Sequence, residues 1–260
     1  MLGKLLKYDL KWIFKELLLL YLLLIGDAIF IVVISRNTST PFMDTVEGFS
    51  QTLLISLMVT TIVVTLKLSW TRMKRNLYGD EAYLTRTLPI SIKTIFQAKV
   101  LAGAICMLAS LLVVVLAIVM TDFSEVVYAI NQAFANLFDT TPVIAAICTI
   151  SFIFAELCFL LFSGFVGITI GYRFRNHRFA WASIFTVLIY AGGALVLAGI
   201  EFLAGLFDPD LNALIDLQST GDVFAGMRSF ILMVWAIYII YDIGCIIAGT
   251  LIQERGVDID

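Results

Sequence analysis

Four carboxylates stand inside otherwise apolar stretches of this sequence. Glu156 and Asp242 lie near the middles of two stretches, Asp27 lies in the outer half of another, and Glu201 lies at the end of a fourth. A charge within a bilayer is costly, so such residues usually face a bundle interior, a partner or water. For Glu156 and Asp242 two interpretations are open: they line a substrate path or carry protons, or they are protonated and hydrogen-bonded to a neighbouring helix. For Asp27 and Glu201 we favour the structural interpretation.

Residues that could support catalysis are scarce elsewhere in the chain. The sequence has no G-x-x-x-x-G-K-[ST] motif, so it lacks a phosphate-binding loop of its own. Its one histidine, His177, cannot by itself form a bis-histidine haem site or an H-E-x-x-H zinc site. We therefore expect no catalytic residues, no metal ligands and no enzyme activity in this chain.

The stretches that must position the four carboxylates are long enough to cross a bilayer. Hydrophobic residues make up 61% of the 260 residues and charged residues only 14%, and the mean hydropathy is +1.00. About 20 mostly apolar residues span a membrane, and no window alternates like a barrel strand. The sequence therefore predicts an all-α integral membrane protein with a single transmembrane domain over 1–260. Its six transmembrane helices are expected at about 17–34, 49–66, 97–120, 143–171, 180–203 and 230–252.

Lysine and arginine set the predicted orientation of these helices. If both termini are cytoplasmic, every one of the 17 lysines and arginines except Arg36 and Arg228 lies on the cytoplasmic side. Cytoplasmic loops carry an excess of these residues. The sequence thus predicts a multi-pass protein with both termini in the cytoplasm.

The first 16 residues plot as an amphipathic helix with leucines on one side. Such a helix lies in the inner membrane interface, with its basic face toward anionic headgroups. We predict an interfacial helix over residues 1–16 that contacts membrane lipids; a plain basic anchor for the first span is the simpler alternative. The basic face holds four lysines within an arc of about 80°: Lys4, Lys7, Lys11 and Lys15.

Residues 204–229 are less apolar and are broken by Pro209 and Gly221, so they do not qualify as a span. Asp208 can cap a short helix that has Pro209 at its first position. A second short helix is expected to begin near Thr220 or Asp222. The sequence therefore predicts short outer helices at about 208–228.

The segment Asn76–Ser91, NLYGDEAYLTRTLPIS, is a polar interruption between the second and third spans. Asp80 can cap a helix that must end by Pro89, and Ser91 can cap the third span. The predicted helix at about 80–88 has only two turns and is marginal alone, so membrane or a partner must hold it. Tyr83, Arg86 and Thr87 share one of its faces.

This segment resembles the permease (membrane) subunits of bacterial type-2 ABC transporters, an exporter family. Their pattern runs roughly Y-G-x-E-G-Y-L-T-x-T-L-P-[VI]-S, and the opening LKYDLK is also similar to that family. Ala82 stands where the pattern usually has glycine, which puts only the local turn geometry in doubt. The motif covers about 25 residues, while six spans with both ends inside match over the whole length.

The resemblance implies that the short helix is a coupling helix, which docks on a separate ATPase subunit that binds ATP and Mg. It further implies a second permease copy or homologue, the bacterial cytoplasmic membrane, and a re-entrant outer hairpin. No cofactor is expected in this chain and no nucleic acid among its partners. The cargo would be hydrophobic or amphipathic: a peptide, a lipid or a drug. The docking residues implied are Tyr78, Asp80, Glu81, Tyr83, Arg86 and Thr87.

Two other functions remain open from the sequence. A stand-alone secondary transporter could move protons through Glu156 and Asp242, although no convincing repeat relates residues 1–130 to 131–260. The chain could also be a non-catalytic membrane scaffold. Copurification of an ATPase through residues 76–91 would favour the exporter, and transport by the chain alone, driven by a pH gradient, would favour the secondary transporter.

Overall fold

The computed structural model describes residues 2–37, 41–79, 82, 91–121, 124–174, 176–212, 214 and 222–254. These residues form helices joined by turns. In chain order the helices are α1 (Leu2–Asn37), α2 (Pro41–Tyr78), α3 (Ile92–Met120), α4 (Ser124–Phe138), α5 (Pro142–Gly171), α6 (Arg178–Phe207), α7 (Pro209–Asn212) and α8 (Val223–Glu254).

Six helices in the described part of the chain are long and apolar enough to cross a membrane: α1, α2, α3, α5, α6 and α8. Each of them contains one of the six predicted windows. The prediction of an all-α protein with six membrane-spanning helices is therefore confirmed. α1 and α2 extend furthest beyond their windows, and both carry polar residues there that continue the helix past the apolar stretch.

The chain divides into two compact units, Met1–Ile130 and Asn131–Asp260. The boundary falls inside α4, a helix that the sequence analysis did not predict. In the middle of α4, Asn131 donates a hydrogen bond from Nδ2 to the Pro142 carbonyl (2.8 Å), which ties α4 to the beginning of α5. The single domain over 1–260 stays a prediction.

Unit 1 is built from α1, α2 and α3, each of which packs against the other two. One cluster of its core holds Leu24, Ile31, Leu54 and Ala117, which are almost completely buried. A second cluster nearer the N-terminus surrounds Leu17. All three helices are therefore fixed against one another along much of their length.

The N-terminal segment differs from its prediction in one respect. Residues 1–16 do not form a separate interfacial helix, because α1 runs without a break from Leu2 to Asn37 and contains no proline that would end it. Its basic face is as predicted, since all four lysines are exposed: Lys4, Lys7, Lys11 and Lys15. The N-terminal segment is thus the first part of the first spanning helix.

Unit 2 is organised around α5, which packs against both α6 and α8. Gly171 makes this packing close: a Cβ atom there would lie 2.2 Å from the backbone nitrogen of Ala182 in α6. Near the middle of the helices, the Phe159 ring lies 5.1 Å from that of Tyr190 and 4.3 Å from that of Tyr241, between ring centroids. A glycine contact at one end and an aromatic contact in the middle therefore join the helices of unit 2.

The four-residue helix α7 follows α6 directly and packs against both α6 and α8. Asp208 accepts a hydrogen bond from the Asp210 backbone N–H (3.0 Å), so the predicted cap is confirmed. Asp222 likewise accepts from the Phe224 N–H (3.0 Å) at the beginning of α8. The second short outer helix predicted up to residue 228 is wrong as a separate element: residues 223–228 are the first turns of α8, which contains no proline.

Candidate functional site

The predicted coupling segment is described only at its ends. Tyr78 is the last residue of α2 and is buried, whereas Asp80, Glu81, Tyr83, Arg86 and Thr87 lie outside the described residues. At the far end, Ser91 caps α3 as predicted, because its Oγ accepts a hydrogen bond from the Thr94 N–H (3.3 Å). The helix at 80–88 and its docking role stay predictions.

The two helices that flank this segment are joined by a buried ionic cluster on Asp9. Arg72, near the end of α2, donates from Nε to Asp9 Oδ1 (2.9 Å). Lys99, near the beginning of α3, donates from Nζ to Oδ1 (2.6 Å) and Oδ2 (2.5 Å) of the same carboxylate. One carboxylate on α1 therefore holds a cation from α2 and a cation from α3.

Burial makes this ionic cluster energetically demanding. Asp9 is 2% exposed and Lys99 4% exposed, so both charges have lost almost all of their water. Arg72 is less buried, and its guanidinium lies 5.2 Å from the centroid of the Trp12 ring, a cation–π contact that replaces part of its hydration. Buried charges such as those of Asp9 and Lys99 are tolerated only if their partners stay in place. The cluster thus fixes the relative positions of the helix ends that carry residues 76–91.

Asp9 was not among the predicted site residues, although its position on the apolar face of the helix indicates a buried partner. On a helical wheel Asp9 lies about 160° from the middle of the lysine arc, between Leu5 and Leu2 of the apolar face. An acidic residue at the centre of an apolar face needs a buried partner. The wheel therefore shows that Asp9 is paired, but it cannot show which cation pairs with it.

A second polar cluster joins α1, α2 and α3 further along these helices, about three turns from the ionic cluster on α1. The Tyr21 hydroxyl and the Ser110 hydroxyl lie 2.7 Å apart, and the Thr65 hydroxyl lies 2.7 Å from the same Ser110 oxygen. Thr65 also donates to the Thr61 carbonyl one turn earlier (2.7 Å). Helices that are joined at two levels by buried hydrogen bonds are held in one arrangement.

The two carboxylates for which a structural role was favoured have different surroundings. Asp27 accepts a hydrogen bond from the Ser50 hydroxyl (2.7 Å), which connects α1 to α2. This contact agrees with the structural interpretation of Asp27, although its Oδ2 atom is buried and has no hydrogen-bond partner among the described residues. Glu201, on α6, has a buried Oε1 atom with no hydrogen-bond partner among the described residues. Its surroundings therefore leave a role in binding open.

Glu156 and Asp242 also occupy different environments within unit 2. Glu156 is exposed on the surface of α5, and Asp242 on α8 is 9% exposed. The Oδ1 atom of Asp242 has no hydrogen-bond partner in the described part of the chain. No hydrogen bond joins these two carboxylates among the described residues, and both interpretations of them stay open.

The acidic, cysteine and histidine side chains of the described residues do not gather into a metal site. No group of three or more histidine, cysteine, aspartate or glutamate side chains that could hold a metal ion occurs within the described ranges. His177 is exposed and precedes α6 with a left-handed backbone (φ 53°). The candidate functional features are therefore the ionic cluster with its flanked segment in unit 1 and the carboxylates of unit 2.

Comparison with protein-family models, with curated proteins and with solved structures found no significant match to this chain in any of the three.

Proposed function

We propose that this chain is the membrane-spanning permease subunit of an ABC exporter. The proposal rests on the polar segment at residues 76–91 and its resemblance to the coupling helices of type-2 permeases. The structural observation that best supports the proposal is the ionic cluster of Asp9, Arg72 and Lys99, because it joins the two helices on either side of that segment. Force applied to such a segment would reach all three helices of unit 1, because the cluster holds them together.

In this function the ATPase subunits bind ATP with Mg and supply the free energy. ATP binding closes the ATPase pair, which displaces the docked helix at 80–88 and shifts the spans between inward- and outward-facing states. Asp9 links α1 to both helices that carry the segment. The displacement therefore moves α1, α2 and α3 together. A second permease copy or homologue completes the translocation path for a hydrophobic or amphipathic substrate.

Substitutions in the docking face provide the test. Tyr83→Ala or Arg86→Glu is expected to weaken ATPase binding by about thirtyfold, since hot-spot truncations cost about 2 kcal/mol or more. The tagged full-length chain is purified from membranes of its own organism, and the ATPase activity that co-elutes with it is measured. Tyr8→Ala and Lys15→Glu are matched controls, because both side chains are exposed on the predicted cytoplasmic end of α1.

Two outcomes contradict the proposal. One is co-eluting ATPase activity that is equal in the wild type and in both docking-face variants. The other is uphill transport by the purified chain alone in vesicles, driven by a pH gradient, which would favour the secondary transporter instead. The buried carboxylate of Asp242 is the group through which such a transporter would act.

A further inference from the structure

A cavity of about 270 Å³ lies in unit 2 where α6, α7 and α8 meet. The cavity lies at the helix ends that are predicted, from the sequence, to face the outer side of the membrane. Five of its lining side chains are apolar and one is a carboxylate. The lining residues are Ala198, Glu201, Phe202, Leu211, Leu214 and Phe230.

The Glu201 carboxylate is the polar group of this cavity. Its Oε1 atom is buried, and none of the described residues donates a hydrogen bond to it. Leaving a buried acceptor without a donor is costly, and more so for an ionised group. A ligand that brings a positively charged donor into the cavity would remove this cost.

The cavity wall is held by specific contacts at the corner between α6 and α8. Asp210 accepts a hydrogen bond from the Asp222 N–H (2.9 Å), which ties α7 to the beginning of α8. Gly226 lets the two segments approach closely, since a Cβ atom there would lie 2.1 Å from the Asp210 carbonyl oxygen. These contacts place Leu211, which is buried, against the cavity. The cavity is therefore part of the folded corner.

We infer that this cavity binds the ammonium end of an amphipathic cation. The ammonium group would donate charge-assisted hydrogen bonds to Glu201, and the adjoining apolar part would pack on Phe202 and Phe230. The volume is just below the 300–1,000 Å³ typical of small-molecule sites, so it suits a single ring or a short alkyl chain next to the charge. The inference that this cation is also transported rests on the proposed function. The inference that the cavity binds it does not.

Three small probes of similar size separate the charge from the apolar contact. They are 2-phenylethylammonium, the neutral 2-phenylethanol and the anionic phenylacetate. The full-length protein is placed in nanodiscs of zwitterionic lipid, and binding of each probe is measured by equilibrium dialysis. Empty nanodiscs supply the correction for partition into lipid. The wild-type protein is expected to bind the ammonium at least tenfold more tightly than the alcohol, and to bind phenylacetate most weakly.

Glu201→Gln removes the charge while keeping the shape of the side chain. It is expected to abolish the tenfold preference for the ammonium and to leave 2-phenylethanol binding unchanged. Asp139→Asn is the matched control, because it removes an exposed carboxylate elsewhere in the same unit and should keep the preference. Ala198→Phe fills the cavity from an exposed position on α6 and should weaken binding of ammonium and alcohol alike.

Two results would overturn the inference. In the first, wild-type protein shows no preference for the ammonium over the alcohol. In the second, the preference survives both Glu201→Gln and Ala198→Phe, so that the cation binds elsewhere. Either result would leave ATPase copurification through residues 76–91 unaffected, and loss of that copurification would leave cation binding intact. The two proposals can therefore fail separately.

Discussion

Replacement of Asp9 by Asn is expected to lower the free energy of unfolding by about 3–5 kcal/mol, the usual cost of removing one partner from a buried ion pair. The variant removes the negative charge of Asp9, to which the Lys99 ammonium, only 4% exposed, donates through both carboxylate oxygens. The measurement is unfolding by SDS in mixed micelles, followed by tryptophan fluorescence. Trp12 packs on Arg72 and lies next to the cluster, so its emission reports on this part of unit 1.

Two further variants distinguish loss of the pair from a general effect of the substitution. Asp44→Asn removes an exposed carboxylate of α2 and should change the free energy of unfolding by no more than about 0.5 kcal/mol. Adding Lys99→Met to Asp9→Asn should recover part of the loss, because no lysine charge then remains buried. If the double variant is as unstable as the sum of the two single variants, Asp9 and Lys99 are not coupled.

The second large effect is expected at the glycine contact between α5 and α6. In Gly171→Ala the new Cβ atom would lie 2.2 Å from the nitrogen and 2.3 Å from the Cα of Ala182, and neither backbone atom can move without its helix. Overpacking of this kind costs typically 1–3 kcal/mol and occasionally more. The folded yield and the free energy of unfolding should both fall.

Gly192→Ala is the matched control for this contact. Gly192 lies on α6, and a Cβ atom there would meet nothing within 4 Å. Alanine is the better helix former, so this variant should be neutral or slightly more stable than the wild type. Equal stability of Gly171→Ala and Gly192→Ala would mean that α5 and α6 do not approach as closely as the structure places them.

The fold was largely predictable because its main signal is local. A bilayer-length apolar window identifies each span without knowledge of its neighbours. Ser91 and Asp208 were identified as caps in the same way, since a cap bonds to a backbone N–H only two or three residues away. The helix α4 was missed because its 15 residues are too few for a span.

The site was less predictable because its contacts are distant in sequence. Asp9 is separated by 63 residues from Arg72 and by 90 from Lys99. The burial of Asp242 and the exposure of Glu156 could not be predicted either, because helices that are apolar all round do not show which face packs. The unit boundary inside α4 was also hidden, since no linker composition marks it.

The ionic cluster also has a consequence for the order in which unit 1 assembles. Chains are made at about 5–20 residues per second, so Asp9 leaves the ribosome roughly 5–18 s before Lys99. Until α3 arrives, the Asp9 carboxylate can pair only with Arg72 of α2, and the second cation of the cluster is still missing. The complete cluster therefore forms last, and its formation marks the completion of the three-helix unit.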